Sequence, residues 1–148
     1  MNIETLQALV ISALEDVKAQ NIVLFDTTKL SHMFERIVIA SGNSSRQTKA
    51  LAASVRDKIR DAGGKIFGFE GEETGEWVLV DLGSIVVHIM QPAIRNYYHL
   101  EEIWGGAPID IETARQAPAE NAGAGAADSG IARKPLTPET FPLSKPEN

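Results

Sequence analysis

The sequence predicts a single α/β domain, in which helices flank a mixed sheet of roughly five strands, followed by a disordered C-terminal tail. Two segments, residues 3–17 and 44–62, repeat apolar side chains at helical spacing. Five short runs rich in Val, Ile and Leu lie on either side of the second segment. The predicted order is α-β-β-α-β-β-β-α, and the second helix is long enough for a right-handed crossover between parallel strands.

The composition is that of an ordinary globular domain. The 148 residues are 43% hydrophobic and 23% charged. Cysteine is absent, which excludes disulfides, thiolate zinc sites and a cysteine nucleophile. The N-terminal segment is acidic with periodic apolar residues, so we expect neither an export signal nor a membrane span, and a cytoplasmic location. The net charge of −6 predicts little or no direct nucleic-acid binding and favours a basic protein partner.

The first predicted helix is defined by a stripe of apolar residues three or four positions apart. The stripe consists of Ile3, Leu6, Val10, Ala13 and Val17. Two β-branched runs at residues 22–27 and 35–42 then predict the first two strands.

The second predicted helix has both of its ends marked. Ser44, with Gln47 three residues later, forms the pattern of a capping box. Gly63-Gly64 supplies a residue able to adopt the left-handed conformation that ends a helix.

A β-hairpin follows the third predicted strand, which covers residues 65–70. Runs at 76–82 and 85–90 are separated only by Gly83-Ser84, a two-residue loop of the kind found in tight hairpins. This loop pairs Val80 with Val87, so one hairpin face is wholly apolar. The other face is mixed, and we expect it to be available to a partner. It carries Trp77, Leu79, Asp81, Val86, His88 and Met90.

A final helix is expected to begin at Pro92 and to place Ile94, Tyr97, Leu100 and Trp104 on one face. Beyond it, Gly, Ala and Pro fill 20 of the 44 positions from 105 to 148. Such a segment cannot bury enough apolar surface to offset its ordering entropy. The predicted division is therefore a domain at 1–104 and a disordered tail at 105–148.

The strand-end carboxylates favour structural roles over catalysis. We expect Asp26 to begin a turn and Asp81 to face solvent or a cation. A metal site would favour convergent carboxylates, and the close set Glu70, Glu72, Glu73 and Glu76 falls in a turn. We therefore predict no metal site and no cofactor.

The turn at Ser41–Ser45 lies between a strand and a helix, where an anion could bind. It lacks the glycine and lysine pattern of a phosphate-binding loop, so a ligand-free capped turn is favoured. His88 has no second His on its strand, which argues against zinc. We leave open whether His88 is a half-buried histidine that bonds within the domain or a residue of an interface.

Four of the nine aromatic residues lie close together near the end of the predicted domain. They are Trp77, Tyr97, Tyr98 and Trp104. Because Trp and Tyr are favoured interface anchors, we expect at least two of them to be partly exposed.

Three segments resemble one known family. SGNSSRQ at 41–47, FEGEETGEWVLVDLGSIVVHIMQP at 69–92 and YYHLEEIW at 97–104 are similar to the ribosomal silencing factor (RsfS, or Iojap) family. The resemblance covers about residues 3–104. The chain departs from the family pattern at Ser84, where an acidic residue is usual, and in the segment containing Ser31, His32 and Glu35.

The resemblance implies a non-enzymatic protein whose fold is similar to that of nucleotidyltransferases without their catalytic acids. It also implies binding to the large ribosomal subunit through its fourteenth protein (uL14). Such binding blocks joining of the small subunit and lowers translation when nutrients are short. Whether assembly of the large subunit is also affected is left open.

From the hairpin register we assign partner binding to the mixed face and the final helix, with carboxylates meeting Lys or Arg on the ribosomal protein. The assigned residues are Glu70, Glu73, Trp77, Leu79, Asp81, His88, Met90, Tyr98, Leu100 and Trp104. One alternative is a nucleotidyltransferase-like enzyme using the Ser41–Ser45 turn, Glu70 and Asp81. Another is a homodimer off the ribosome that buries the same face.

Overall fold

The computed structural model describes residues 1–104 and 107–116 and confirms the predicted α/β class. One mixed sheet has the strand order β3-β4-β5-β2-β1-β6. The elements are α1 (Ile3–Asp16), β1 (Gln20–Asp26), β2 (Arg36–Ser41), α2 (Ser45–Asp61), β3 (Gly68–Glu70), β4 (Trp77–Asp81), β5 (Ile85–Met90), α3 (Pro92–Tyr98), α4 (Leu100–Trp104), β6 (Ala107–Pro108) and α5 (Ile111–Ala114). No helix within these ranges is long and apolar enough to cross a membrane.

The sheet centre is the parallel pair β2 and β5, which runs in register from Arg36 opposite Ile85 to Ser41 opposite Met90. Strand β4 pairs antiparallel with β5, and β1 pairs antiparallel with β2. Helices α1 and α2 pack against each other and cover one face of the sheet. The core on that face includes Val10, Leu14, Leu51, Val55, Val80, Val87 and Ile89.

The hairpin has the predicted register. Val80 pairs with Val87 and Leu79 pairs with His88, while Leu82 N–H donates to the Ile85 carbonyl at 2.9 Å. Gly83 has a φ of 90°, a conformation that glycine adopts without steric cost. The two-residue loop was therefore a sufficient signal for the pairing.

The predicted capping residues are present at the start of α2, and one of them also joins two helices. Ser44 Oγ accepts from Gln47 N–H at 3.1 Å, and Gln47 Oε1 accepts from Asn43 N–H at 2.7 Å. The Gln47 amide nitrogen then donates to the carbonyls of Val17 and Lys18 at the end of α1. One side chain thus closes the start of α2 and joins the two helices.

The prediction of one continuous helix after Pro92 is wrong. His99 adopts a left-handed conformation, with φ 54° and ψ 47°, and separates α3 from α4. A non-glycine residue in this region costs roughly 1 kcal/mol, so tertiary contacts must stabilise the break. The break also separates Tyr97, which is exposed, from Leu100, which is buried.

The prediction of a disordered tail from residue 105 is wrong for residues 107–116. Strand β6 pairs with the edge strand β1, and Ile109 N–H donates to the Leu24 carbonyl at 2.8 Å. Ile111 packs against the core on the side of α1, where Ala114 is buried. Arg115 donates to the Glu15 carboxylate at 2.6 Å. The remaining predicted tail, 117–148 with 105–106, lies outside the described residues.

Removing β6 and α5 should therefore destabilise the domain. We expect a chain ending at Trp104 to be less stable than one ending at Gln116 by about 2 kcal/mol or more, because apolar surface and the β1 edge become exposed. Urea unfolding of the two truncated chains measures this difference directly, since both lack residues 117–148. Equal unfolding midpoints would contradict a structural role for the segment.

Candidate functional site

The mixed face of the hairpin is buried, in contrast to the prediction. Leu79, His88 and Met90 are fully buried, Asp81 is also inaccessible, and Trp77 is 8% exposed. These residues belong to a second core, on the sheet face opposite α1 and α2, which also includes Phe25, Phe34, Ile37, Ile39, Val86 and Leu100. A mixed polar pattern here reflects internal hydrogen bonding and not contact with water.

A hydrogen bond between Trp77 and His88 organises this core. The indole Nε1–H donates to His88 Nδ1 at 2.9 Å, and the two rings lie 5.8 Å apart. Burial lowers the pKa of His88 to about 3. The imidazole is therefore neutral at pH 7. Because Nδ1 accepts, the proton of the neutral ring lies on Nε2.

Asp81 ends β4 and is fully buried, so it does not face solvent. Its Oδ1 accepts from Gly83 N–H at 2.9 Å and so fixes the hairpin loop. Together with Leu79, His88, Met90 and Leu100, it can support a contact surface but cannot touch a partner of the folded domain. The prediction that these five residues contact a partner directly is therefore corrected, because all five are buried.

Aromatic side chains become accessible at the rim of this core. Tyr98 is half-buried and packs on Trp77, with ring centroids 4.9 Å apart. Tyr97 is 47% exposed and meets Tyr98 edge to face at 4.9 Å. The expectation of at least two partly exposed aromatics is thus confirmed by the two tyrosines. The side chain of Trp104 lies outside the described part of the chain.

The acidic loop before β4 is held in a fixed position by hydrogen bonds from its neighbours. Glu72, Glu73 and Glu76 are exposed, and Glu70 is half-buried. The loop is held because the Gly75 carbonyl accepts from Thr48 Oγ1 and from Gln91 Nε2. Gln91 immediately precedes α3, and its own N–H donates to the Glu76 carbonyl at 3.0 Å. The loop is therefore tied to α2 and to the residue that precedes α3.

A buried arginine lies behind the tyrosines. Arg95 Nε and Nη2 donate to Glu101 Oε2 at 3.1 and 2.8 Å, and Nη1 donates to Ser41 Oγ at 2.8 Å. These groups line a depression of about 450 Å³ together with Asn21, Val23, Pro92 and Asn96. Arg95 could not be identified from local sequence patterns, because its partners are a strand end and a second short helix.

The remaining predicted polar groups are engaged in local structure. Asp26 accepts from both the N–H and the hydroxyl of Thr28, at 2.9 and 2.7 Å. These bonds lower the pKa of Asp26 and confirm its turn role. In the Ser41–Ser45 turn, Ser41 accepts from Arg95 and Ser44 caps α2. No group of three or more His, Asp or Glu side chains that could hold a metal occurs within the described residues.

Comparison with known proteins gives the same family from sequence and structure. The family model for "Ribosomal silencing factor during starvation" matches residues 1–134. The chain is 53% identical to ribosomal silencing factor RsfS of Chromobacterium violaceum, over 72% of this chain and 87% of that protein. It is 35% identical to RsfS of Bacillus subtilis, over 74% and 92% of the two chains.

Comparison with solved structures agrees with the sequence comparison. A crystal structure of a Chromobacterium violaceum protein superimposes with a TM-score of 0.70 at 51% identity, over 74% of this chain and 92% of that one. The fold and its relatives thus define a translation-regulating α/β protein. The chain belongs to the ribosomal silencing factor (RsfS) family, as its resemblance implied.

The buried neutral His88 predicts acid sensitivity. The folded-state pKa of about 3 lies below the unfolded value of 6.5, so the unfolded chain binds more protons between these pH values. The contribution of neutral His88 to the free energy of unfolding is therefore fully present above about pH 6.5, and it falls as the pH decreases. We expect a loss of about 2 kcal/mol between pH 7 and pH 5, measured by urea unfolding.

The matched control is His88→Gln, because a glutamine oxygen can accept from Trp77 but does not titrate. This variant should lose much less stability over the same pH interval. An equal loss in both proteins would contradict a neutral buried His88.

Proposed function

We propose that this protein binds the large ribosomal subunit through uL14 and, without catalysing a reaction, sterically blocks joining of the small subunit. In this proposal it represses translation in the cytoplasm under nutrient limitation. Its membership of the RsfS family supports a ribosome-silencing role. The structural observation that carries the proposal is the accessible aromatic group in which Tyr97 meets Tyr98 and Tyr98 packs on Trp77, which directly follows an acidic loop in the sequence.

The contact surface we propose is named the tyrosine corner and consists of Glu70, Glu73, Tyr97, Tyr98 and the accessible edge of Trp77. Tyrosine and tryptophan supply large contact area with few rotatable bonds, which suits them as anchors. Trp77 and Tyr98 are already packed against each other, so little side-chain entropy is lost on binding. The buried residues of the second core hold this surface in place.

The charge of the tyrosine corner fits a basic ribosomal protein. Exposed carboxylates occur at Glu72, Glu73 and Glu76, in the loop that leads directly into Trp77. Complementary charges of this kind accelerate encounter and fix the orientation of two partners. The aromatic anchors would then determine how long the complex lasts, since most affinity differences between related complexes lie in the dissociation rate.

Silencing by obstruction requires only that the bound domain occupy the subunit interface. A folded domain of this length has a radius of gyration of roughly 13 to 15 Å. A body of that size on uL14 would prevent the close approach that subunit joining needs. A homodimer using the same corner would compete with ribosome binding, and sedimentation at several protein concentrations would detect it.

Truncating the central anchor should weaken binding to purified uL14. We expect Tyr98→Ala to reduce affinity by about 10-fold or more, because an interface aromatic is removed. Leu30→Ala is the matched control, since Leu30 is 50% exposed in the loop between β1 and β2, away from the corner. Affinity can be measured by titration calorimetry after confirming that both variants fold. Undiminished binding by Tyr98→Ala would remove the tyrosine corner as the contact surface.

The silencing activity itself is tested by sucrose-gradient sedimentation of purified subunits. Adding the wild-type protein should shift joined ribosomes towards free subunits, and Tyr98→Ala should leave them joined. Leu30→Ala should act like the wild type. If the wild type binds uL14 but leaves subunit joining unchanged, steric obstruction is the wrong mechanism.

A further inference from the structure

The break between α3 and α4 decides which side chains reach the surface. In a continuous helix, Tyr97 and Leu100 would lie on one face, since they are three residues apart. The structure separates them, with Tyr97 47% exposed and Leu100 1% exposed. The left-handed His99 between them produces this separation. Whatever stabilises the break therefore controls the exposure of Tyr97.

Arg95 and Glu101 bridge the break. Arg95 lies in α3 and Glu101 in α4, and two guanidinium N–H groups donate to one oxygen of Glu101. The third bond, from Nη1 to Ser41 Oγ, attaches the same guanidinium to the end of β2. Three elements are thus tied by one side chain. Arg95 itself is nearly inaccessible, whereas the side chain of Glu101 is 35% exposed.

We infer that Arg95 and Glu101 act as a positioning pair that presents Tyr97, beside Tyr98, to the ribosomal partner. This inference rests on the proposed function and adds the pair of residues that controls the exposure of Tyr97. The pair does not itself touch the partner. Its action is to hold α3 at the angle at which the ring of Tyr97 stands against the edge of Tyr98 and faces outward.

The chemistry of the pair requires arginine. A guanidinium can donate to Glu101 and Ser41 at the same time because its N–H groups point in fixed, divergent directions. A lysine at position 95 keeps the charge but offers a single ammonium group, which cannot reproduce three bonds to two elements with the same geometry. Both of these bonds from Arg95 to Glu101 end on Oε2.

The test is a double-mutant cycle with the full chain, using immobilised uL14 as the probe. Glu101→Gln should weaken binding about 5-fold in the wild-type background, and less than about 2-fold when Tyr97 is already replaced by alanine. Arg95→Lys should behave in the same way. A merely structural role would lower affinity equally in both backgrounds. The near-ultraviolet circular dichroism of the Tyr97–Tyr98–Trp77 group should also change in Glu101→Gln.

Glu102→Gln is the matched control, because it removes the same charge from the adjacent, exposed position. It should change affinity less than about 2-fold. Undiminished binding by both Glu101→Gln and Arg95→Lys, or equal losses in the two backgrounds, would overturn the positioning role alone. If the wild type failed to bind uL14, the proposed function would fall and this inference with it.

Discussion

Burial of the β4–β5 hairpin on both faces is the constraint on which the rest of the structure depends. Every residue of both strands is buried. Polar groups on these strands must therefore find partners within the protein. Trp77 donates to His88 across the ladder, and Asp81 accepts from the loop that it precedes. Because the hairpin is internal, its strands offer little surface to a partner.

Local rules were enough to predict the elements that local interactions specify. A two-residue Gly-Ser loop fixes the pairing of its flanking strands, and the observed register follows it from Val78 opposite Ile89 onward. In the same way, Ser44 and Gln47 lie three residues apart and their capping bonds close within one turn. The class and order of the elements up to Pro92 follow from such signals together with apolar periodicity.

The features that the sequence did not reveal depend on contacts between distant residues. In the hairpin sequence, Asp81 and His88 alternate with apolar neighbours, which is the pattern of a half-exposed strand. Only the structure, in which a second core covers this face of the sheet, shows that His88 is buried. Arg95, which bonds across the break at His99 to Glu101, also reaches Ser41, which lies 54 positions earlier. Helix α5 has four residues, too few for a periodic pattern, and is held by Arg115 bonding to Glu15. Composition alone therefore placed the end of the domain too early.

A protein that silences by occupying a surface gains most from being rigid before it binds. At the tyrosine corner, ring packing fixes Tyr98 on Trp77, and the Gly75 carbonyl fixes the acidic loop against α2. Since these groups are already ordered, binding has less conformational entropy to overcome. Carboxylates at the rim can then increase the rate of encounter, while aromatic contact slows dissociation. In the proposed function, the internal hairpin and the bridged helix break would serve the same end, because both would keep a small anchor surface in one conformation.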